Sequence, residues 1–157
     1  MSAQTCDDDR LCILCLACTA GVGPATIRRL SAVAARLGAP LPDVLRLGAD
    51  ALESKVGLST RIARRVGDLE SPLLLAEGVL DELARCGARP IFEGRPPYPR
   101  RLTQFLAEDA PPVLFAGGDP SVLDGASVAV VGSRRPSPAA ARAAHQFAGA
   151  QAAAGLA

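Results

Sequence analysis

The sequence predicts an α/β protein in two unequal parts: a small all-helical bundle over residues 1–87, then the first strands and a helix of a parallel α/β domain over residues 88–157. Apolar residues recur at helical spacing from Leu11 to about Cys86. The run Ser127–Gly132 is almost continuously apolar, as in a parallel strand covered on both faces, and a Gly-Ser-Arg loop and an alanine-rich helix follow it. Because one strand–loop–helix unit does not complete a doubly wound sheet, we expect a truncated, multidomain fragment.

Composition limits the classes of protein to consider. The chain has 157 residues, of which 49% are hydrophobic and 21% charged, and its formal net charge is +1. These values predict a globular protein, and they confine any nucleic-acid site to a local basic patch. No apolar run is long enough to span a membrane, and the polar, acidic start is unlike a secretory signal peptide. We therefore expect a cytoplasmic location, where the 5 cysteines are thiols.

The helical part is predicted to contain several short connections. An apolar segment from Leu11 forms the first helix, and Ala25–Leu37 forms the second, with its apolar residues on one face. Gly38-Ala-Pro ends that second helix. Further helices are predicted over Asp43–Leu47, Ala49–Lys55, Ser59–Val66 and Pro72–Cys86.

After Cys86 the pattern changes to short strands. Strands are predicted over Ala88–Phe92, Val113–Ala116 and Ser127–Gly132, and helices over Arg100–Leu106 and Ala139–Ala153. Gly155-Leu-Ala157 resembles the start of a further strand after a helix-ending glycine.

Three cysteines of the first helix have a spacing that metal sites also use. Cys12, Cys15 and Cys18 stand at C-x₂-C-x₂-C, as in part of an iron–sulfur run, but Thr19-Ala-Gly-Val-Gly follows where such a run would continue C-x₃-C-P. Free cysteine packs as a small hydrophobic residue. We predict that these cysteines pack in a helical core, and we assign no metal site.

The glycine turn after that helix is the first candidate site. Gly21-Val-Gly23-Pro24 resembles the hydrophobic–Gly–hydrophobic–Gly turn of the helix–hairpin–helix (SAM-like) bundles. Amides at the start of the following helix suit a phosphate, and two arginines lie one turn further on. The predicted secondary phosphate contacts are Gly21, Gly23, Arg28 and Arg29. A similar but less complete pattern occurs over Val56–Val66. The alternative is that both turns only reverse the direction of the chain.

The second and stronger candidate is the loop Gly132-Ser133-Arg134-Arg135. A loop between a strand and a helix presents free amides, the positive end of a helix dipole, a hydroxyl and two guanidinium groups. It is not a dinucleotide fingerprint, because no other glycine follows until Gly149, and it lacks the Gly-Lys-Ser/Thr of a Walker A loop. We predict that it contacts phosphates. The alternative is a surface arginine pair on a tight turn.

Several segments together resemble one known family. Tyr98-Pro-Arg-Arg-Leu102, Ala110-Pro-Pro-Val-Leu-Phe-Ala-Gly-Gly118-Asp and Val128-Ala-Val-Val-Gly-Ser-Arg-Arg-Pro-Ser137 are similar in order and spacing to DNA-processing protein A (DprA, also called Smf). The helical part also resembles the N-terminal domain of that family, less specifically. The chain departs from the family at Ala139-Ala140, where many members have Tyr-Gly.

The resemblance implies a function and partners. Members of this family bind single-stranded DNA on a Rossmann-like domain, protect incoming DNA and load the RecA recombinase during natural transformation, usually as a homodimer, without catalysis and without a cofactor. By position, Gly132, Ser133 and Arg134 would contact the DNA backbone.

Other functions remain open from the residues alone. A nucleotide-processing enzyme of a related fold, such as a nucleoside-monophosphate phosphoribohydrolase, would need a later glycine-rich loop with Glu and Arg that this sequence does not contain. The helical part could instead be a protein-interaction module. His145, the single histidine, and Ser133 have no neighbouring partner of a catalytic kind.

Overall fold

The computed structural model describes residues 3–69 and 71–156. Its helices are α1 (Ala3–Cys18), α2 (Pro24–Leu37), α3 (Leu41–Leu45), α4 (Ala49–Ala51), α5 (Thr60–Gly67), α6 (Pro72–Arg85), α7 (Arg100–Leu106) and α8 (Pro138–Ala153). Its strands are β1 (Ala88–Phe92) and β2 (Val113–Gly117). Leu52–Val56 continues α4 as a π-helical turn, and 3₁₀ turns occupy Ala107–Asp109 and Pro120–Asp124. The other helices predicted from the sequence are confirmed to within a few residues, but α1 begins eight residues before the predicted start at Leu11.

Helix α1 lies in the middle of the bundle and contributes to two cores. Cys12 and Leu16 belong to a larger cluster formed with α2 to α5, whereas Leu14 and Cys15 belong to a smaller one with α6 and β2. All four side chains are buried. A helix that is apolar on more than one face is typical of a buried position. The prediction that Cys12 and Cys15 pack in a helical core is confirmed, while Cys18 is exposed.

Helix α2 is amphipathic, as predicted, and ends at Gly38. Its buried residues are Ile27, Leu30, Val33 and Ala34. Gly38 has φ +62°, and the N–H of Ala39 donates to the carbonyl of Ala34, which satisfies a carbonyl at the helix end. The chain then turns under α1, where the carboxylate of Asp9 accepts a hydrogen bond of 2.7 Å from the N–H of Leu41.

Strands β1 and β2 form a two-stranded antiparallel sheet in which Ala88 pairs with Gly117 and Phe92 with Val113. Val113 packs in the smaller core with Leu14, Cys15 and Ala76. Contacts therefore cross the division that we predicted after residue 87. The strands themselves are confirmed, but they pair antiparallel, which corrects the expected parallel arrangement.

The strand predicted over Ser127–Gly132 is wrong. These residues are irregular in the structure and pair with no strand of the described ranges. Val128, Val130 and Val131 are exposed, Val131 at 89%. A lone extended segment has no partner for its backbone N–H and C=O groups, so an apolar sequence does not make it a strand. The Rossmann-like sheet is thus not formed among the described residues.

The helix-ending glycine predicted at Gly155 is confirmed, and the strand expected after it extends to Ala157, which lies outside the described residues. The N–H of Leu156 donates to the carbonyl of Gln151, and Gly155 has φ +81°, so these residues close the end of α8. Within the described ranges, every helix is too short or too polar to cross a lipid bilayer.

Candidate nucleic-acid interface

The loop Gly132–Arg135 lies between an irregular segment and α8, and all four of its residues are exposed. The Oγ of Ser133 accepts a hydrogen bond of 3.1 Å from the N–H of Arg135, which closes a tight local turn. That bond uses the hydroxyl oxygen as acceptor and leaves the hydroxyl hydrogen to donate. Neither Arg134 nor Arg135 forms an ion pair with any described residue.

The backbone of this loop is open to solvent. The N–H groups of Gly132, Ser133 and Arg134 donate no hydrogen bond within the described part of the chain. A Cβ built at Gly132 meets nothing within 4 Å, so the packing of this chain does not require glycine there. The following helix α8 forms as predicted and is capped by Ser137, whose Oγ accepts from the N–H of Ala140 at 3.2 Å.

The first glycine turn joins α1 to α2 as predicted. Gly21 has φ +84°, in the region that favours glycine, and Gly23 is the N-cap of α2 with Pro24 as its first residue. The N–H groups of Gly21, Gly23 and Ala25 donate to no described acceptor. The predicted turn geometry is therefore present, and its amides are open.

The two arginines predicted to serve this turn point elsewhere. Arg28 donates through Nη2 to Glu93 Oε2 at 2.7 Å, and both its Nη atoms donate to the carbonyl of Ala110 at 2.9–3.0 Å. Its donors are thus directed toward the loop after β1 and the turn before β2. Arg29 lies within 3.5 Å of the carbonyl of Gly57, in the second glycine turn.

The second turn repeats the first more closely than its sequence indicated. Gly57 has φ +72°, and Ser59 caps α5 as Gly23 caps α2. When Gly21 is aligned with Gly57, each buried residue matches a buried residue: Val22 with Leu58, Ile27 with Ala63, and Leu30 with Val66. The same alignment places Arg28-Arg29 on Arg64-Arg65.

Each glycine turn is contacted by an arginine from the helix that follows the other turn. Arg29, on the helix after the first turn, reaches Gly57 in the second. Arg65, on the helix after the second turn, donates to the carbonyl of Ala20 in the first. Arg61 and Arg65 also lie 3.6 and 3.5 Å from the position where a Cβ on Gly21 would stand. The arginines nearest the first turn therefore come from α5, which our sequence reasoning missed.

Three cysteines of α1, at positions 12, 15 and 18, have raised thiol pKa values, which makes them poor nucleophiles. Burial raises the pKa of the Cys12 thiol to about 12, with further increases from the charges of Cys15 and Asp9. Burial also raises the pKa values of Cys15 and Cys18. With raised pKa values these thiols stay protonated near neutral pH. They are therefore unreactive, because thiolate is the reactive and metal-binding form.

Comparison with known families gives a match in the C-terminal part of the chain. Residues 89–157 match the family model of DNA recombination-mediator protein A. Through this segment the chain is similar to the DNA recombination-mediator protein A family. The recombination-mediator segment, residues 89–157, begins inside β1 and contains β2, the Gly132–Arg135 loop and α8.

The helical bundle lies outside the recombination-mediator segment, so its two glycine turns are interpreted from their own geometry. Comparisons of the chain with curated proteins and with solved structures gave no match. The match to the DNA recombination-mediator protein A family indicates a role in DNA recombination in general.

Proposed function

We propose that this chain belongs to a non-catalytic mediator that binds single-stranded DNA, protects it and loads the RecA recombinase onto it during natural transformation. The observation that carries the proposal is the family match over residues 89–157, because that segment contains the Gly132–Arg135 loop. DNA recombination is the role the family name gives, and the loop is the part of the segment with the chemistry to hold a DNA backbone.

The loop has three properties that suit a chain of phosphodiesters. Its backbone amides have no acceptor among the described residues, and its two guanidinium groups have no carboxylate partner there. Guanidinium groups pair with phosphate oxygens through two parallel hydrogen bonds. Space at Gly132, where a Cβ would meet nothing, lets a backbone phosphate approach the amides closely. We assign the principal contact to Gly132, Ser133, Arg134 and Arg135.

The first glycine turn is the proposed secondary contact. The open N–H groups at Gly21 and Gly23 stand at the positive end of the α2 dipole. Arg29 is exposed and its guanidinium group lies near the carbonyl of Gly57, where one weak contact leaves donors available, whereas Arg28 already holds Glu93 and Ala110. We therefore expect Arg28 to contribute least of the four predicted residues.

The partners follow from the same proposal. RecA is the protein partner, the whole protein acts as a homodimer in the cytoplasm, and no cofactor takes part. A mediator of this kind holds the strand without cleaving it, so binding and transfer, and not turnover, are the activities to measure.

The test compares charge-removal variants of the full 157-residue chain on fluorescein-labelled dT20, using anisotropy across a salt series. Arg134→Gln/Arg135→Gln is expected to weaken binding and to lower the slope of log K against log salt by about 0.7 for each phosphate that the variant no longer neutralises. The matched control is Arg46→Gln/Arg85→Gln, which also removes two positive charges but from exposed ion pairs with Asp43 and Glu82. This control is expected to change the slope much less.

Equal slopes for the loop variant and the control would contradict the proposed site. Hydrolysis of nucleoside monophosphates, assayed with the same preparations, would contradict the non-catalytic role and favour the nucleotide-processing alternative.

A further inference from the structure

An open cleft of about 610 Å³ runs along α5, on the solvent side of a helix whose Ala63 and Val66 are buried in the larger core. The described residues that line it are all polar or charged: Thr60, Arg61, Arg64, Arg65 and Asp68. It lies outside the recombination-mediator segment and apart in sequence from the Gly132–Arg135 loop.

The positive charge of this cleft is not balanced by the described part of the protein. Three guanidinium groups face one carboxylate, and neither Arg61 nor Arg64 forms an ion pair with any described residue. The nearby carboxylate of Glu53 accepts from the hydroxyl of Thr60 at 3.1 Å. Arg61 stands three residues from Arg64 and four from Arg65, and like charges at these spacings lower the stability of a helix.

The cleft also adjoins the first glycine turn. Arg61 and Arg65 reach to within 3.6 Å of the Cβ position at Gly21, and Arg65 donates to the carbonyl of Ala20. Arg65 therefore has a structural contact, whereas Arg61 and Arg64 have guanidinium groups available to a ligand.

We propose that this cleft binds the phosphodiester backbone of a nucleic acid, with Arg61 and Arg64 making the contacts. Guanidinium groups match phosphate oxygens in geometry and charge. The described lining includes no aromatic or large apolar side chain, which the centre of a protein–protein interface usually contains. The choice of nucleic acid among polyanions rests on the proposed function of the chain. Single strands and duplexes share this backbone chemistry, so both serve as probes.

The experiment measures the binding of the full 157-residue chain to labelled dT20 and to a labelled 20-base-pair duplex across a salt series. Arg61→Gln/Arg64→Gln is expected to weaken binding of at least one probe. For each phosphate left without its arginine, the salt slope should fall by about 0.7 on the single strand, or about 0.9 on the duplex. Arg61→Lys/Arg64→Lys keeps the charge and should restore most of the slope. Thermal unfolding of the glutamine variant should match or exceed that of the wild type, because like-charge repulsion is removed.

The control is again Arg46→Gln/Arg85→Gln, with the same change in net charge. A glutamine variant that matches this control on both probes overturns the inference, as does a wild-type chain that binds neither probe. Weakened binding confined to Arg134→Gln/Arg135→Gln contradicts the cleft and keeps the proposed function. Weakened binding confined to Arg61→Gln/Arg64→Gln supports the cleft and contradicts the loop.

Discussion

Arg28 and Glu93, 65 residues apart in the sequence, form an ion pair with an Nη2–Oε2 distance of 2.7 Å. Both side chains are about three-quarters buried. Because the same guanidinium group donates to the carbonyl of Ala110, it fastens α2 to both ends of the segment between β1 and β2. This arginine connects the helical bundle to the recombination-mediator segment.

Arg28→Ala is expected to lower the free energy of unfolding by about 1–3 kcal/mol, because it leaves a carboxylate and a carbonyl without their donor. Arg28→Lys should recover only part of this stability, since a single ammonium group cannot reproduce the forked contact with Glu93 and Ala110. Urea denaturation measures both. The control is Arg36→Ala, at an exposed position of the same helix. An equal decrease in unfolding free energy there would contradict a specific role for the Arg28 contacts with Glu93 and Ala110.

Tyr98→Phe tests the same region without changing its charge. The Tyr98 hydroxyl donates to the carbonyl of Pro111 at 2.7 Å, and the ring is buried at 5% exposure. Removing the hydroxyl is expected to cost about 1 kcal/mol of unfolding free energy. An unchanged urea midpoint would show that solvent replaces this hydrogen bond.

Gly21→Ala is expected to destabilise the protein by about 1–2 kcal/mol, because Gly21 has φ +84° and its Cβ would lie 3.2 Å from Ile62 Cδ1. The matched control is Gly78→Ala, in the exposed part of α6 with open space around the Cβ position. That substitution should stabilise the protein by about 0.5–1 kcal/mol, because alanine favours helix over glycine. Shifts of the same sign in thermal unfolding would contradict this account of the turn.

Alkaline pH is expected to destabilise the fold through Cys12. Burial raises the folded-state pKa of this thiol from 9.0 to about 12, so the folded chain holds the proton more tightly than the unfolded chain. The resulting stability is fully present below about pH 9 and is lost as the pH rises toward 12, by about 1.4 kcal/mol per unit for one thiol.

Cys12→Ala should therefore reduce the decrease of unfolding free energy between about pH 8 and about pH 10.5, measured by urea denaturation under reducing conditions. Cys86→Ala, at an exposed position outside both cores, should keep the wild-type decrease. Identical pH dependence in all three proteins would exclude Cys12 as the cause.

Local patterns predicted most of the helical part. The 3.6-residue spacing of Ile27, Leu30, Val33 and Leu37 and the terminating Gly38 specify α2 without reference to any neighbour. Ser127–Gly132 had an equally clear apolar pattern, yet it forms no strand with the described residues. A strand needs a second strand to pair with, and the sequence of one segment does not specify that partner. The antiparallel pairing of β1 with β2 was missed for the same reason.

The sequence likewise predicted some parts of the candidate sites and not others. The glycine turn and the Gly132–Arg135 loop could be found because their chemistry is contiguous in the sequence. The direction of Arg28 toward Glu93 could not, since the contact joins distant segments. The α5 arginines could have been found by aligning Gly21 with Gly57, which places Arg64 and Arg65 at the positions of Arg28 and Arg29.

Among the described residues 126–156, no side chain is buried. Substitutions in the Gly132–Arg135 loop should therefore leave the thermal unfolding temperature of this chain almost unchanged, whereas the proposed function expects them to weaken its affinity for DNA. Screens that select variants by thermal stability or by expression would pass a chain in which this site no longer works. In this chain, folding places little constraint on the identities of Gly132, Arg134 and Arg135, because all three residues are exposed.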